Sequence, residues 1–258
     1  MKIRKKSPKP AQSGAPLYLV GHTAASPTVQ GLQSWFDREY GGPIVIEPAQ
    51  AQQTQGDQPG PTLYRASHGP WQAWMRLACP SAETQHWRQT LEWRHDRAAA
   101  VIPTTAGPRD ACDQVLLAAR LARGLTLLTG GTSFDTRTHE FLNPSDWTDR
   151  RLERFILMDH VAIRHDDMAA DGRDWFFTQG LAKFGLEEIE VFRPRGLSPQ
   201  PVSEQLGDIA DELVRLGRIP TVGGMVSLQL LGLSVRALRH RTAAYAGAPL
   251  ILREIAWE

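Results

Sequence analysis

Apolar positions along the chain recur with two periods, one near 2 and one near 3.6 residues, and their alternation sets the element order. LYLVGHT (17–23) is a near-continuous apolar run and reads as a first strand. Ser26-Pro27 then looks like a helix start, a hydroxyl cap followed by proline at the first helical position. Val29, Leu32, Phe36 and Tyr40 follow at helical spacing until Gly41-Gly42 stops the run. IVIEP (44–48) is a second strand and AQAQQTQGDQPGP (49–61) a polar loop. TLYRAS (62–67) and WQAWMRL (71–77) are strands divided by the turn signal HGP. A helix capped by Ser81 puts Thr84, Trp87 and Leu91 on one face, and AAAVIPTT (98–105) is a buried strand. Pro108 opens a third helix with Cys112, Val115, Leu116 and Ala119 inward and Gly124 at its left-handed end.

The second half continues in kind. LTLLTGG (125–131) reads as a strand, SFDTRTHEFL as a hairpin or tight turn, and Asn143-Pro144-Ser145-Asp146-Trp147 as the start of a short helix. FILMDHVAIRH (155–165) and DWFFT (174–178) form a hairpin across DDMAADGR, and EEIEVF (187–192) is a strand or a helical turn. The clearest helix is 203–217, with Ser203 as cap, Leu206, Ile209, Leu213 and Leu216 on one face, and Gly217 at its end. MVSLQLLG, VRALRHR and ILREI close the chain as strands. This order predicts an α+β fold with ferredoxin-like αβ sandwich elements: a mainly antiparallel or mixed sheet with helices packed on one face. The expected organisation is a basic tail over 1–16 and a single αβ domain over 17–258. One continuous sheet and two similar abutting halves, 17–123 and 124–258, both remain open.

Composition narrows the partners. Of the 258 residues, 41% are hydrophobic and 22% charged, and the net charge of +1 gives no field favouring nucleic acid or an anionic membrane. The longest apolar stretch, Val115 to Leu128, is interrupted by Arg120, Arg123 and Gly124, so no segment approaches the roughly 20 apolar residues of a membrane span. The start, MKIRKKSPKPAQSGAP, has no apolar signal-peptide core after it and reads as a solvated, disordered tail. Cys79 and Cys112 are too few for a disulfide framework or a cysteine-based zinc site, which points to the cytoplasm.

The densest pattern is WFFTQGLAKFGLEEIEVF (175–192). Its glycines permit backbone conformations closed to other residues, Leu181 and Phe184 fall on one side of a helical turn, and Thr178 can bond nearby backbone. Glu187, Glu188 and Glu190 read as a solvated edge that discourages strand-to-strand aggregation. Thr178, Gly180, Leu181, Phe184, Gly185, Glu188 and Glu190 together fit T-x-G-L-x-x-F-G-x-x-E-L-E, with Ile189 in place of the leucine. In this the chain resembles an uncharacterised bacterial family of domains of unknown function, over about residues 109–230. The resemblance implies no activity; some relatives stand in bacterial secretion or toxin-defence contexts.

Catalytic patterns are weak. Asp159 and His160 are adjacent in the expected strand and point to opposite faces. His165, Asp166, Asp167 and Asp171 lack the ligand spacing of a calcium loop. Gly130-Gly131-Thr132-Ser133 lacks phosphate-loop spacing, Gly223-Gly224 has no dinucleotide fingerprint, and Ser133 and Ser227 have no nucleophile-elbow context. Neither a metal nor a cofactor is expected, and no catalytic residue is assigned. The leading expectation is a non-enzymatic cytoplasmic protein that binds an unidentified protein partner, as an immunity or accessory protein of a bacterial secretion or toxin system. Two alternatives stand beside it: an enzyme or small-ligand binder with a pocket near Thr178, Lys183 and His160, and a structural subunit of a bacterial assembly.

Overall fold

The computed structural model describes residues 15–49, 63–104, 110–167, 172–196, 198–245 and 248–258. The expected loop over 49–61 beyond Ala49, most of the tail, Pro108 and part of the 166–173 loop lie outside the described residues. The fold is α+β, with its strands in two sheets. The chain divides into two compact units: Met1–Thr105, Leu117–Thr136 and Phe141–Asp149 form the first; Ala106–Leu116, Arg137–Glu140 and Arg150–Glu258 form the second.

In chain order the first sheet is fed by β1 (Tyr18–His22), α1 (Val29–Tyr40), β2 (Val45–Pro48), β3 (Leu63–His68), β4 (Trp71–Arg76), α2 (Ser81–Thr90), β5 (Arg97–Pro103), α3 (Ala111–Thr129), β6 (Thr132–Asp135), β7 (Glu140–Leu142) and α4 (Pro144–Asp149). Its strand order is β2-β3-β4-β5-β1-β6-β7. β1 is internal, antiparallel to both β5 and β6, which is why Tyr18, Leu19 and Val20 are all buried. The cap of α1 is Thr28, not the Ser26-Pro27 pair: its Oγ1 accepts from the Gly31 amide at 3.0 Å.

The largest departure from the sequence reading lies in α3. Residues 125–129, expected in a strand, are the last turns of this helix. Gly124 is no terminal cap. It lets α3 approach α1, since a Cβ there would stand 2.6 Å from the Trp35 ring and 2.9 Å from Leu32 Cδ1. The helix ends at Thr129 and is followed by Gly130 with φ 62°. Leu121, Ala122, Leu125 and Thr126 are fully buried, and a helical stretch buried on every side shows no period that separates it from a buried strand.

The second sheet is built from β8 (Ala162–Asp166), β9 (Arg173–Gln179), β10 (Glu188–Pro194), β11 (Met225–Leu228), β12 (Leu233–Tyr245) and β13 (Ala248–Trp257), with α5 (Pro199–Leu216) packed on β8 and β9. Its order is β11-β12-β13-β10-β9-β8, antiparallel except for the parallel pair β10–β13. The expected hairpin between β8 and β9 forms, pairing Ala162 with Gln179 and Asp166 with Trp175. Residues 155–161 are not strand, because Leu157–Asp159 close a 3-10 turn before β8 begins. α5 starts four residues before Ser203, at Pro199, whose fixed φ suits a first helical position. Leu206, Ile209, Ala210 and Leu213 form its fully buried stripe.

Candidate functional site

The T-x-G-L-x-x-F-G segment is a 3-10 turn, Leu181–Phe184, slung between β9 and β10. A helical turn leaves its first amides without internal partners. Glu188, at the start of the next strand, supplies them: its carboxylate accepts from the backbone amides of Gly180 (2.9 Å), Leu181 (3.1 Å) and Ala182 (3.3 Å). Thr178 Oγ1 donates to the same carboxylate at 2.8 Å and accepts from the Ile189 amide at 2.9 Å, so β9 and β10 are tied across the turn. Burial pushes the Glu188 pKa up, against the pull of these four donors. Gly180 has φ 126°, and Gly185 closes the turn in the left-handed region at φ 74°. Leu181 and Phe184 are buried beneath it.

The solvated acidic edge expected at Glu187, Glu188 and Glu190 is therefore corrected. Only Glu187 is partly exposed, with Arg253 Nε at 2.9 Å. Glu190 is fully buried, accepting from Trp175 Nε1 at 2.7 Å and from Arg241 Nε at 2.9 Å. The reason is topological. β10 lies inside its sheet between β13 and β9, so its carboxylates face a packed layer and persist by pairing.

Thr178 spends its hydroxyl on Glu188 and the Ile189 amide. Lys183 and His160 do meet, but through the backbone: Lys183 Nζ donates to the His160 carbonyl at 2.6 Å. The His160 ring is 1% exposed and stacked on Phe155, with centroids 5.0 Å apart and planes at 12°. Phe155 in turn meets Phe184 edge-on at 5.7 Å. Neither ring nitrogen of His160 has a partner among the described residues. Burial, reinforced by the positive charges of Lys183 and Arg150, holds its pKa well below the usual range, so the ring is neutral. Gly180 is pressed against the same carbonyl, 2.8 Å from where a Cβ would be. This arrangement grips the chain at 155–160 from behind. It positions no general base against a nucleophile, which catalysis by these groups requires.

The gripped segment forms one wall of an open groove of about 680 Å3, and α5 forms the other. Phe155, Ile156 and Met158 line the first wall; Glu204, Asp208 and Asp211 line the second. Ile156 and Met158 are 45% and 48% exposed, high for large apolar side chains. Gly207 on α5 admits Met158, whose Sδ lies 3.3 Å from the position a Cβ would take. A second hollow of about 520 Å3 lies by Glu212, Arg218 and Leu230. Neither hollow is lined by Thr178, Lys183 or His160. The groove had no signature in the sequence, because Ile156 and Met158 read as ordinary strand residues until the 3-10 turn rotates them outward.

Other residues weighed from sequence have structural partners. His165 stacks on Phe176 at 4.4 Å and lies 3.8 Å from Asp174. Ser133 Oγ accepts from Trp147 Nε1 at 3.0 Å inside the first unit. Burial pushes the Cys79 thiol up to about 12, far from a reactive thiolate. Among the described residues no cluster of three or more His, Cys, Asp or Glu is placed to hold a metal, and no helix is long and apolar enough to cross a membrane. Compared with protein-family models, curated proteins and solved structures, the chain matches none.

Proposed function

We propose that this chain acts by binding another protein, and that the groove between residues 154–158 and α5 is where it does so. The observation carrying the reading is the pair Ile156 and Met158, exposed on a wall braced from behind by Phe155, His160, Lys183 and the Glu188-capped turn. Large apolar side chains grouped and exposed at a groove mark an interaction surface. The polar groups of the T-x-G-L-x-x-F-G segment are engaged with one another, which favours a non-enzymatic protein over the ligand-binding reading at Thr178, Lys183 and His160. The resemblance to the uncharacterised bacterial family extends the proposal to a cytoplasmic immunity or accessory role beside a secretion or toxin system. On the fold, the proposal keeps two αβ halves, each with its own sheet. It does not extend to a ferredoxin-like unit around α2, because β4 and β5, which flank α2, pair directly and antiparallel.

A pull-down from the native host tests the reading, run with the wild type and with an Ile156→Ser/Met158→Ser variant. The expected result is a protein partner retained by the wild type and lost by a variant that unfolds at the same urea concentration. Recovery of nothing above background, or equal recovery by both, contradicts it.

A further inference from the structure

Resting on the protein-binding reading, we infer that the groove receives an amphipathic α-helix of the partner, with its basic flank lying along α5. Three features of the groove define this occupant.

The first is the nature of the walls. One is a helix and the other is a 3-10 turn with its approach. Along its interior α5 satisfies its own backbone groups and offers side chains only. A strand laid along α5 would find no row of free amides and carbonyls to pair with, whereas a helix brings its own hydrogen bonds. The second is length. From Ser203 to Arg215 the α5 wall extends about 18 Å, or about three turns, which suits anchors at i, i+3 or i+4, and i+7. Ile156 and Met158, with Phe155 beneath, are the apolar floor such anchors meet.

The third is charge. Glu204 and Asp208 are exposed, one helical turn apart on the face of α5 that lines the groove. Glu204 accepts only from the neutral Gln200 amide, at 2.8 Å, and Asp208 has no cation paired to it among the described residues. Asp211 is already matched by Arg215 at 2.6 Å. Two uncompensated carboxylates about 6 Å apart call for Lys or Arg at i and i+4 of the occupant. Arg154, on the opposite wall, also has no ion pair among the described residues, so it repels cations there and confines the partner's basic residues to the α5 side.

The probe is a fluorescein-labelled helical peptide with Leu at i, i+3, i+4 and i+7 and Lys along one flank, titrated against the full chain by anisotropy at low and high salt. Its controls are the same peptide with Glu for Lys and a scrambled peptide of equal composition. Binding of the Lys peptide alone is expected. Glu204→Gln/Asp208→Asn should weaken it about tenfold and flatten its salt dependence, as for two partly exposed ion pairs. Both residues are exposed, so this variant keeps its fold. Equal binding of the Glu or scrambled peptide, or no change in the charge variant, overturns the helix-with-basic-flank inference. Unchanged binding to Ile156→Ser/Met158→Ser places the peptide elsewhere and overturns it too. The protein-binding reading falls separately, by its own pull-down.

Discussion

Gly180 and Gly185 bracket one short turn and do different work. Gly185 takes φ 74° in open space, so alanine there meets only the left-handed backbone penalty, about 1 kcal/mol. Gly180 takes φ 126°, and a Cβ would also press 2.8 Å from the His160 carbonyl and 3.2 Å from Val161 Cα. Urea unfolding should show Gly180→Ala losing well over 2 kcal/mol and Gly185→Ala about half that or less; equal losses contradict the close packing described. His160 makes a second residue-scale prediction. Its folded pKa lies well below 6.5, the value it regains when unfolded. As pH falls through 6.5 the unfolded chain takes up a proton that the folded chain refuses, so stability drops by about 1.4 kcal/mol per pH unit until the folded pKa is reached. His160→Phe keeps the stack on Phe155 and removes that slope. Between pH 7 and pH 5 the wild type should lose more stability than the variant. His22, also lowered by burial, contributes its own slope to both proteins alike. Identical losses in the two would place the titration elsewhere.

Elements with one buried face were legible. The apolar stripe of α5 and the closing strands β11, β12 and β13 follow their periods, because a packed layer on one side and water on the other imprint alternation on the sequence. Where burial surrounds an element the imprint vanishes. The end of α3 carries a strand-like pattern for that reason, and Gly124 resembles a cap in sequence although its missing side chain makes room for Trp35. The T-x-G-L-x-x-F-G segment was legible as a backbone-shaping turn from its glycines and its apolar pair three apart. Its key bond was not, since nothing local says that Glu188 turns inward to cap the amides before it while Glu187 stays at the surface. The carboxylates of β10 misled because solvated and paired glutamates look the same in a sequence; only the sheet order, with β10 internal, separates them. The groove was illegible, arising from the 3-10 turn at Leu157–Asp159 inside what looked like continuous strand.

At the scale of the whole molecule, each unit has its own sheet and its own buried polar anchors. In the first, Arg123 bonds the Trp147 carbonyl at 2.9 Å and Glu39 at 3.0 Å. In the second, Glu188 and Glu190 are the anchors, and the groove wall leans on the first of them: Glu188 fixes the turn, the turn presents Lys183 and Phe184, and these hold Phe155 and His160 behind Ile156 and Met158. The segment from Thr178 to Glu190 thus braces the groove wall at 154–158. Amide hydrogen exchange on Glu188→Gln tests this most directly, since the neutral side chain leaves poorly satisfied amides at a cost of about 2 kcal/mol. Exchange should quicken by about tenfold or more over both 178–186 and 154–160 while residues 206–214 of α5 keep their protection. Loosening of 178–186 with 154–160 unchanged would show that the turn does not brace the groove.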